Sequence, residues 1–360
     1  MKVLGVRTTI AAAMVAAGLQ AQPPTPATWS AKAAASYLDG RIDWWMTWSS
    51  AQRDHETFCI SCHTALPYAL GRPALRTALH EKESSAGERS VLENVTRRVR
   101  LWQEVKPFYP DSAKAPGKTA ESRGTESVLN ALILVSHDPA SPDSRLALDN
   151  MWAEQLKSGD TAGAWPWLQF HNAPWEGDSQ FYGTTLAALA TGMAPAEYRE
   201  TPAVREGLAP LRRYLAAERE KQTLLDRMIL VWASTRLPGL LSPSERKSIL
   251  NEAIGKQQED GGFSTSSFVG SWKRKDNTPL DTRSDGYASG VVAFVLRQTG
   301  MKPDDPVLRR SLAWLSGNQE TDDGRWPAWS LNKQRELSSD AGRFMSDAAT
   351  AYAVMALKVE

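Results

Sequence analysis

Two cysteines in 360 residues, three positions apart, rule out a long-range disulfide framework. Neither sign of charge dominates, with 42 Lys and Arg against 41 Asp and Glu. That balance gives no reason to expect nucleic acid or an anionic membrane as partner. Long apolar runs are also missing. The alanine-rich stretch at residues 8–19 falls short of the roughly 20 residues needed to cross a bilayer, and no other segment is apolar enough. Strand signals are weak throughout. What is abundant is punctuation and aromatic surface: 24 glycines, 21 prolines and 14 tryptophans, the last enough to line a substantial core or cavity.

The short apolar stretch sits between a basic start (Lys2, Arg7) and Gln20-Ala21, followed by the proline-rich 22–26. This pattern reads as a secretory signal over residues 1–21 and predicts export to the periplasm. The mature chain, 22–360, then contains no transmembrane segment.

Helical segments recur in pairs, the first followed by a tryptophan- or glycine-rich loop, the second opening on small or acidic residues. The pairs are expected at 29–48 with 64–79, 88–105 with 125–136, 144–157 with 181–191, 203–218 with 222–236, 245–258 with 285–300, and 306–317 with 346–358. The spacing predicts an all-α chain of about six helical hairpins with long loops, each burying its apolar face only against its neighbours. Asp285 and Asp347 stand at helix openings, where capping of free N–H groups is the structural expectation.

Gln257-Gln258-Glu259-Asp260-Gly261-Gly262-Phe263, together with Gln319 and Gly324-Arg325-Trp326, resembles the glutamine-tryptophan repeats of squalene-hopene cyclases and the related prenyltransferase β-subunits. The resemblance implies an α/α toroid, with Gln319 and Trp326 tying a loop to helix ends. It implies neither activity. The acidic Asp-x-Asp-Asp motif of the cyclases is absent, and the prenyltransferase zinc site needs a cysteine this chain does not have to spare.

Cys59-Ile60-Ser61-Cys62-His63 is the c-type haem attachment pattern: two thiols for thioether bonds and an adjacent histidine for the iron. A thioredoxin-like dithiol and a zinc site completed by His55 are weaker alternatives, because the surroundings are helical and adjacent Cys62 and His63 share one tetrahedral ion poorly. The motif predicts covalent haem c on Cys59 and Cys62, with His63 as iron ligand. His171, in the tryptophan-rich loop 164–175, is the leading distant candidate for the second metal ligand or for acid-base work. His55, His80, His137 and Met46 are the others. Arg283 and Tyr287 complete the candidate catalytic set, with Tyr182, Asp285, Arg343 and Asp347 expected at the same mouth.

The primary expectation is thus an exported haem protein with redox activity toward a small molecule or a redox protein partner. Two alternatives stay open: a non-redox toroid enzyme acting on an isoprenoid or carbohydrate, where paired carboxylates such as Asp285 and Asp347 would serve as acid and base, and a haem-bearing binding protein.

Overall fold

The computed structural model describes residues 29–357, so the expected signal at 1–21 lies outside the described residues. Among them the chain is helical, with one two-stranded hairpin, β1 (Gln52–Arg53) and β2 (Thr57–Phe58), before the second helix. The expected pairs are all present: α1 (Ala31–Thr47) with α2 (Ala65–Ala78), α3 (Ala86–Arg100) with α4 (Lys118–His137), and α5 (Pro142–Ala153) with α6 (Phe181–Met193). After the single turn α7 (Ala196–Arg199) come α8 (Pro202–Glu218) with α9 (Leu224–Arg236), α10 (Pro243–Ile254) with α11 (Gly286–Gln298), and α12 (Pro306–Gly317) with α13 (Phe344–Leu357). No described helix is long and apolar enough to cross a membrane.

The outer helices start where capping chemistry tells them to. Ser30, Ser85, Ser141, Ser242 and Asp305 each accept a backbone N–H from the first turn, and Ser85/Glu88 and Ser242/Glu245 form reciprocal capping boxes. Proline occupies the first turn of α5, α8, α10 and α12, where its missing N–H costs nothing. Helix α4 begins at Lys118 instead of the expected 125, because its first turn is polar and carries no apolar signal. Its buried residues begin at Ser122.

Helices α2, α4, α6, α9, α11 and α13 pack side by side in sequence, and α13 returns to α2, closing an inner ring with the other members of the pairs outside. The inner helices α6, α11 and α13 are buried nearly all round, as a ring enclosed on both faces requires. The fold is an α/α toroid. Close approach of α11 and α13 depends on small residues: a Cβ on Gly290 would lie 2.8 Å from the Ala353 amide nitrogen.

A glutamine clamp repeats around the ring. Gln155 Nε2 donates to the carbonyls of Gly163 and Gly207, and Gln257 Nε2 to those of Gly261 and Val307. Gln319 Nε2 donates to Gly324 and Ser30 carbonyls, while its Oε1 accepts the Ser30 N–H. Each clamp ties a loop to the next outer helix, and the third joins the last loop to the first. Trp165 and Trp326, buried beside two of these clamps, donate indole N–H groups to Met151 and Leu315 carbonyls.

The ring is also closed by charge. Asp347 Oδ1 accepts from Arg41 Nε and the Tyr37 hydroxyl, each at 2.8 Å, and Oδ2 accepts from the Thr64 hydroxyl at 2.7 Å. Asp285, by contrast, is a helix cap, accepting the N–H groups of Tyr287 and Ala288 and both donors of Thr265.

Asp347→Asn would leave the Arg41 guanidinium buried without its main counter-charge, so the variant should lose about 3–5 kcal/mol of stability. Gln319→Ala, at a partly exposed site, should lose about 1–2 kcal/mol. Denaturant unfolding of both variants measures the ordering, and equal losses would refute it.

Candidate functional site

All six inner helices run in one direction, so the loops preceding them gather at their N-terminal end. A cluster of rings closes the centre of that end. His63 is stacked on Phe344 at 3.8 Å between centroids, with Trp45 edge-on at 5.1 Å and Trp175 at 5.8 Å. Trp175 Nε1 donates to the Tyr287 hydroxyl at 3.0 Å, so fully buried Tyr287 supports the Trp175 loop from below. The Thr64 hydroxyl donates to Asp347, so it accepts from His63 Nδ1 at 2.8 Å. Burial, with the nearby Arg41 cation, pushes the His63 imidazole down to about 3, keeping it neutral.

The two thiols are part of the packed interior. Cys59 and Cys62 retain 7% and 3% of their accessible surface and belong to the main hydrophobic core. Burial pushes the Cys59 thiol up to about 12 and Cys62 well above its usual value, so neither is a thiolate. The Cys59–His63 segment does not fit haem c.

Beside this cluster, the loops before α6, α9 and α11 enclose a pocket of about 320 Å³. Ala173, Pro174, Asp178 and Tyr182 line one part, Thr223 and Asp226 another, and Val269 with Trp272 a third. Asp226 lies in the first turn of α9, where Thr223 caps the helix through Asp226 N–H and donates its hydroxyl to Asp226 Oδ2 at 2.6 Å. Burial outweighs those hydrogen bonds and pushes the Asp226 carboxyl up to about 6. Asp178 is instead solvent-facing and meets His171 Nδ1 at 2.6 Å. The His171 ring is stacked on Trp272 at 4.4 Å, and Trp272 is fixed by its indole N–H on the Leu331 carbonyl.

Of the expected site residues, His171 reaches this pocket through Asp178 and Trp272. Arg283 lies outside the lining, exposed, over the Trp329 ring at 4.3 Å and paired with Asp281. Asp178 and Asp226 were not anticipated. Asp226 reads as one polar position of an amphipathic helix, and only the Thr223-x-x-Asp226 capping spacing could have marked it. Glu176, on the same loop as Asp178, is pushed up to about 7 by burial, and its charge adds to the upward push on both thiols.

The fold has solved counterparts. A GH76A α-1,6-mannanase from Salegentibacter sp. HEL1_6 superposes with a TM-score of 0.50 at 12% identity, covering 91% of this chain and 99% of that one. An inactive variant of that mannanase, with two aspartates replaced by asparagine and bound to α-1,6-mannotriose, gives a TM-score of 0.51 at 12% identity, covering 91% and 100%. No family model matches the chain, and no curated protein matches it in sequence.

These findings correct the primary expectation. The solved counterpart is a glycosidase, not a redox protein, and the expected attachment cysteines are buried in the main hydrophobic core. His63 and His171 belong to separate clusters. Among the described residues no three His, Cys, Asp or Glu side chains are grouped to hold a metal ion. The haem cofactor, iron ligation by His63 and His171, and electron transfer to a redox partner are withdrawn. Protein produced in a host with haem-attachment machinery should show no Soret absorption after purification under denaturing conditions. A covalent haem spectrum would overturn this correction.

Proposed function

We propose that the protein is a non-redox α/α-toroid hydrolase of glycosidic bonds in an oligosaccharide, acting in the pocket between Asp178, Asp226 and Trp272. The observation that carries this reading is the unequal pair of carboxyl groups on one pocket wall system: Asp226 held up to about 6 by burial, Asp178 open to solvent. Two carboxyl groups in contrasting environments can divide the work of acid and base. Trp272 offers an apolar ring face of the kind on which a sugar ring packs, and Tyr182 adds a polar edge.

In this reading the Asp226 carboxylic acid donates its proton to the glycosidic oxygen as the bond to the anomeric carbon breaks. Water adds to that carbon, and Asp178 accepts the water's proton. His171 is a positioning residue, orienting Asp178 through the Nδ1 contact and buttressing Trp272. The fold likeness agrees with a carbohydrate substrate but does not select the linkage. In the mannanase, the inactive variant replaces two consecutive aspartates. Consecutive aspartates in this chain are Asp304-Asp305, where Asp305 caps α12, and Asp322-Asp323, in the loop before α13. The proposed pair here comes from two separate loops instead. Export to the periplasm belongs to the same proposal, since a polymer-degrading enzyme meets its substrate there.

Release of reducing ends from α-1,6-mannotriose and from a panel of other linked oligosaccharides tests the reading. Asp226→Asn should lower kcat about 10²–10⁴-fold, the usual contribution of a general acid, with the melting temperature little changed. Failure of the unmodified protein to cleave any oligosaccharide of the panel would refute the proposal. The acid must be protonated to act, so kcat/KM should fall as pH rises through about 6. An activity that instead rises across that range would remove Asp226 from the role. His171→Ala should raise KM and lower kcat together while leaving the alkaline limb in place.

A further inference from the structure

The opposite end of the toroid carries a second cavity, of about 300 Å³, formed by the last turns of α2, α6, α9, α11 and α13. Its size lies at the lower limit of small-molecule pockets, about 300–1,000 Å³. The floor is apolar: Trp232 and Phe294 are buried and meet edge-to-face at 4.9 Å. Met193 and Met355, both half-buried, form adaptable walls. The rim carries two cations, Arg76 and Arg236, and the lining contains no carboxylate.

That charge pattern runs against the local backbone. Helix C-termini present unpaired carbonyls and the negative end of the macrodipole, which repel an anion unless cations offset them. Arg76 is paired with Glu88 at 3.3 Å. Arg236 forms no ion pair among the described residues; its guanidinium donates to the neutral Gln298 side chain at 3.0 Å. An exposed guanidinium beside an apolar, aromatic-floored cavity suits a ligand with a hydrocarbon chain and one anionic end, since a fork of N–H donors matches a carboxylate.

We propose that this cavity binds a straight-chain carboxylate amphiphile, its chain between Met193 and Met355 over Trp232 and Phe294, its head on Arg236. The site is separate from the glycosidase pocket and does not depend on it. Isothermal titration of the full chain with decanoate, held below its aggregation concentration, tests the assignment, with decan-1-ol and acetate as probes of chain and head alone. Decanoate should bind one per chain, decan-1-ol at least tenfold more weakly, and acetate not measurably. Arg236→Gln should weaken decanoate at least tenfold and leave decan-1-ol unchanged. Ala74→Phe, narrowing the entrance, should abolish both. Circular dichroism confirms that each variant is folded. Equal affinity for decanoate and decan-1-ol, undiminished decanoate binding in folded Arg236→Gln, or no decanoate binding at all would overturn the proposal.

Discussion

Closure of the ring is the constraint on which the rest of the molecule depends. A helical toroid is stable only if its last hairpin packs on its first, because each hairpin alone exposes an apolar face. Here the joint combines two contacts of very different kind. Gln319 clips Ser30 through exposed backbone bonds, and Asp347 gathers Arg41, Tyr37 and Thr64 in the interior. Buried ion pairs often add little net stability compared with an apolar alternative, but they are costly to break and specify one geometry. Asp347 thereby fixes α13 against α1 and against the start of α2 at once.

That joint also explains how the Cys59–His63 segment is used. Thr64, one residue beyond His63, takes its hydrogen-bonded place from Asp347, and the His63 ring is oriented by Thr64 and Phe344. Ser61 accepts the N–H groups of Thr64 and Ala65, and the Cys59 carbonyl accepts the Trp45 indole N–H. Ser61 thus holds the entrance of α2, and Trp45 anchors the segment at Cys59. A short motif specifies residue types and spacing, whereas a cofactor needs space as well. Of the tryptophans expected to line a core or a cavity, Trp45 and Trp175 are buried against His63.

The toroid itself was legible because its signals are local and repeated. Helix pairing follows from the recurring segments, the α11 cap from Asp285, and the clamp of Gln319 from the family resemblance, whereas the serine caps and proline starts of the outer helices and the clamp of Gln155 went unread. Each needs only a few neighbouring residues to be read. The proposed site was not legible for the converse reason. Asp178 and Asp226 lie on different hairpins, and neither residue type nor spacing announces that Trp272, from a third, joins them. Asp285 and Asp347, conspicuous at helix openings, are consumed by capping and by ring closure.

The same architecture explains why one carboxyl of the pocket is pushed up although it sits where a carboxylate should be favoured. Asp226 occupies the first turn of α9, and the helix dipole and the Thr223 hydroxyl both stabilise its charged form. Over a turn exposed to solvent those terms would hold it low. Here the loops before α6 and α11 close in on α9 and leave the carboxyl half-buried, and the loss of hydration exceeds what one hydroxyl and a terminal dipole return. Asp178 escapes this because its loop turns outward at the rim, where His171 and solvent share it. The contrast between the two groups is one of exposure within one pocket lining, Asp178 keeping 61% of its side-chain surface and Asp226 being half-buried.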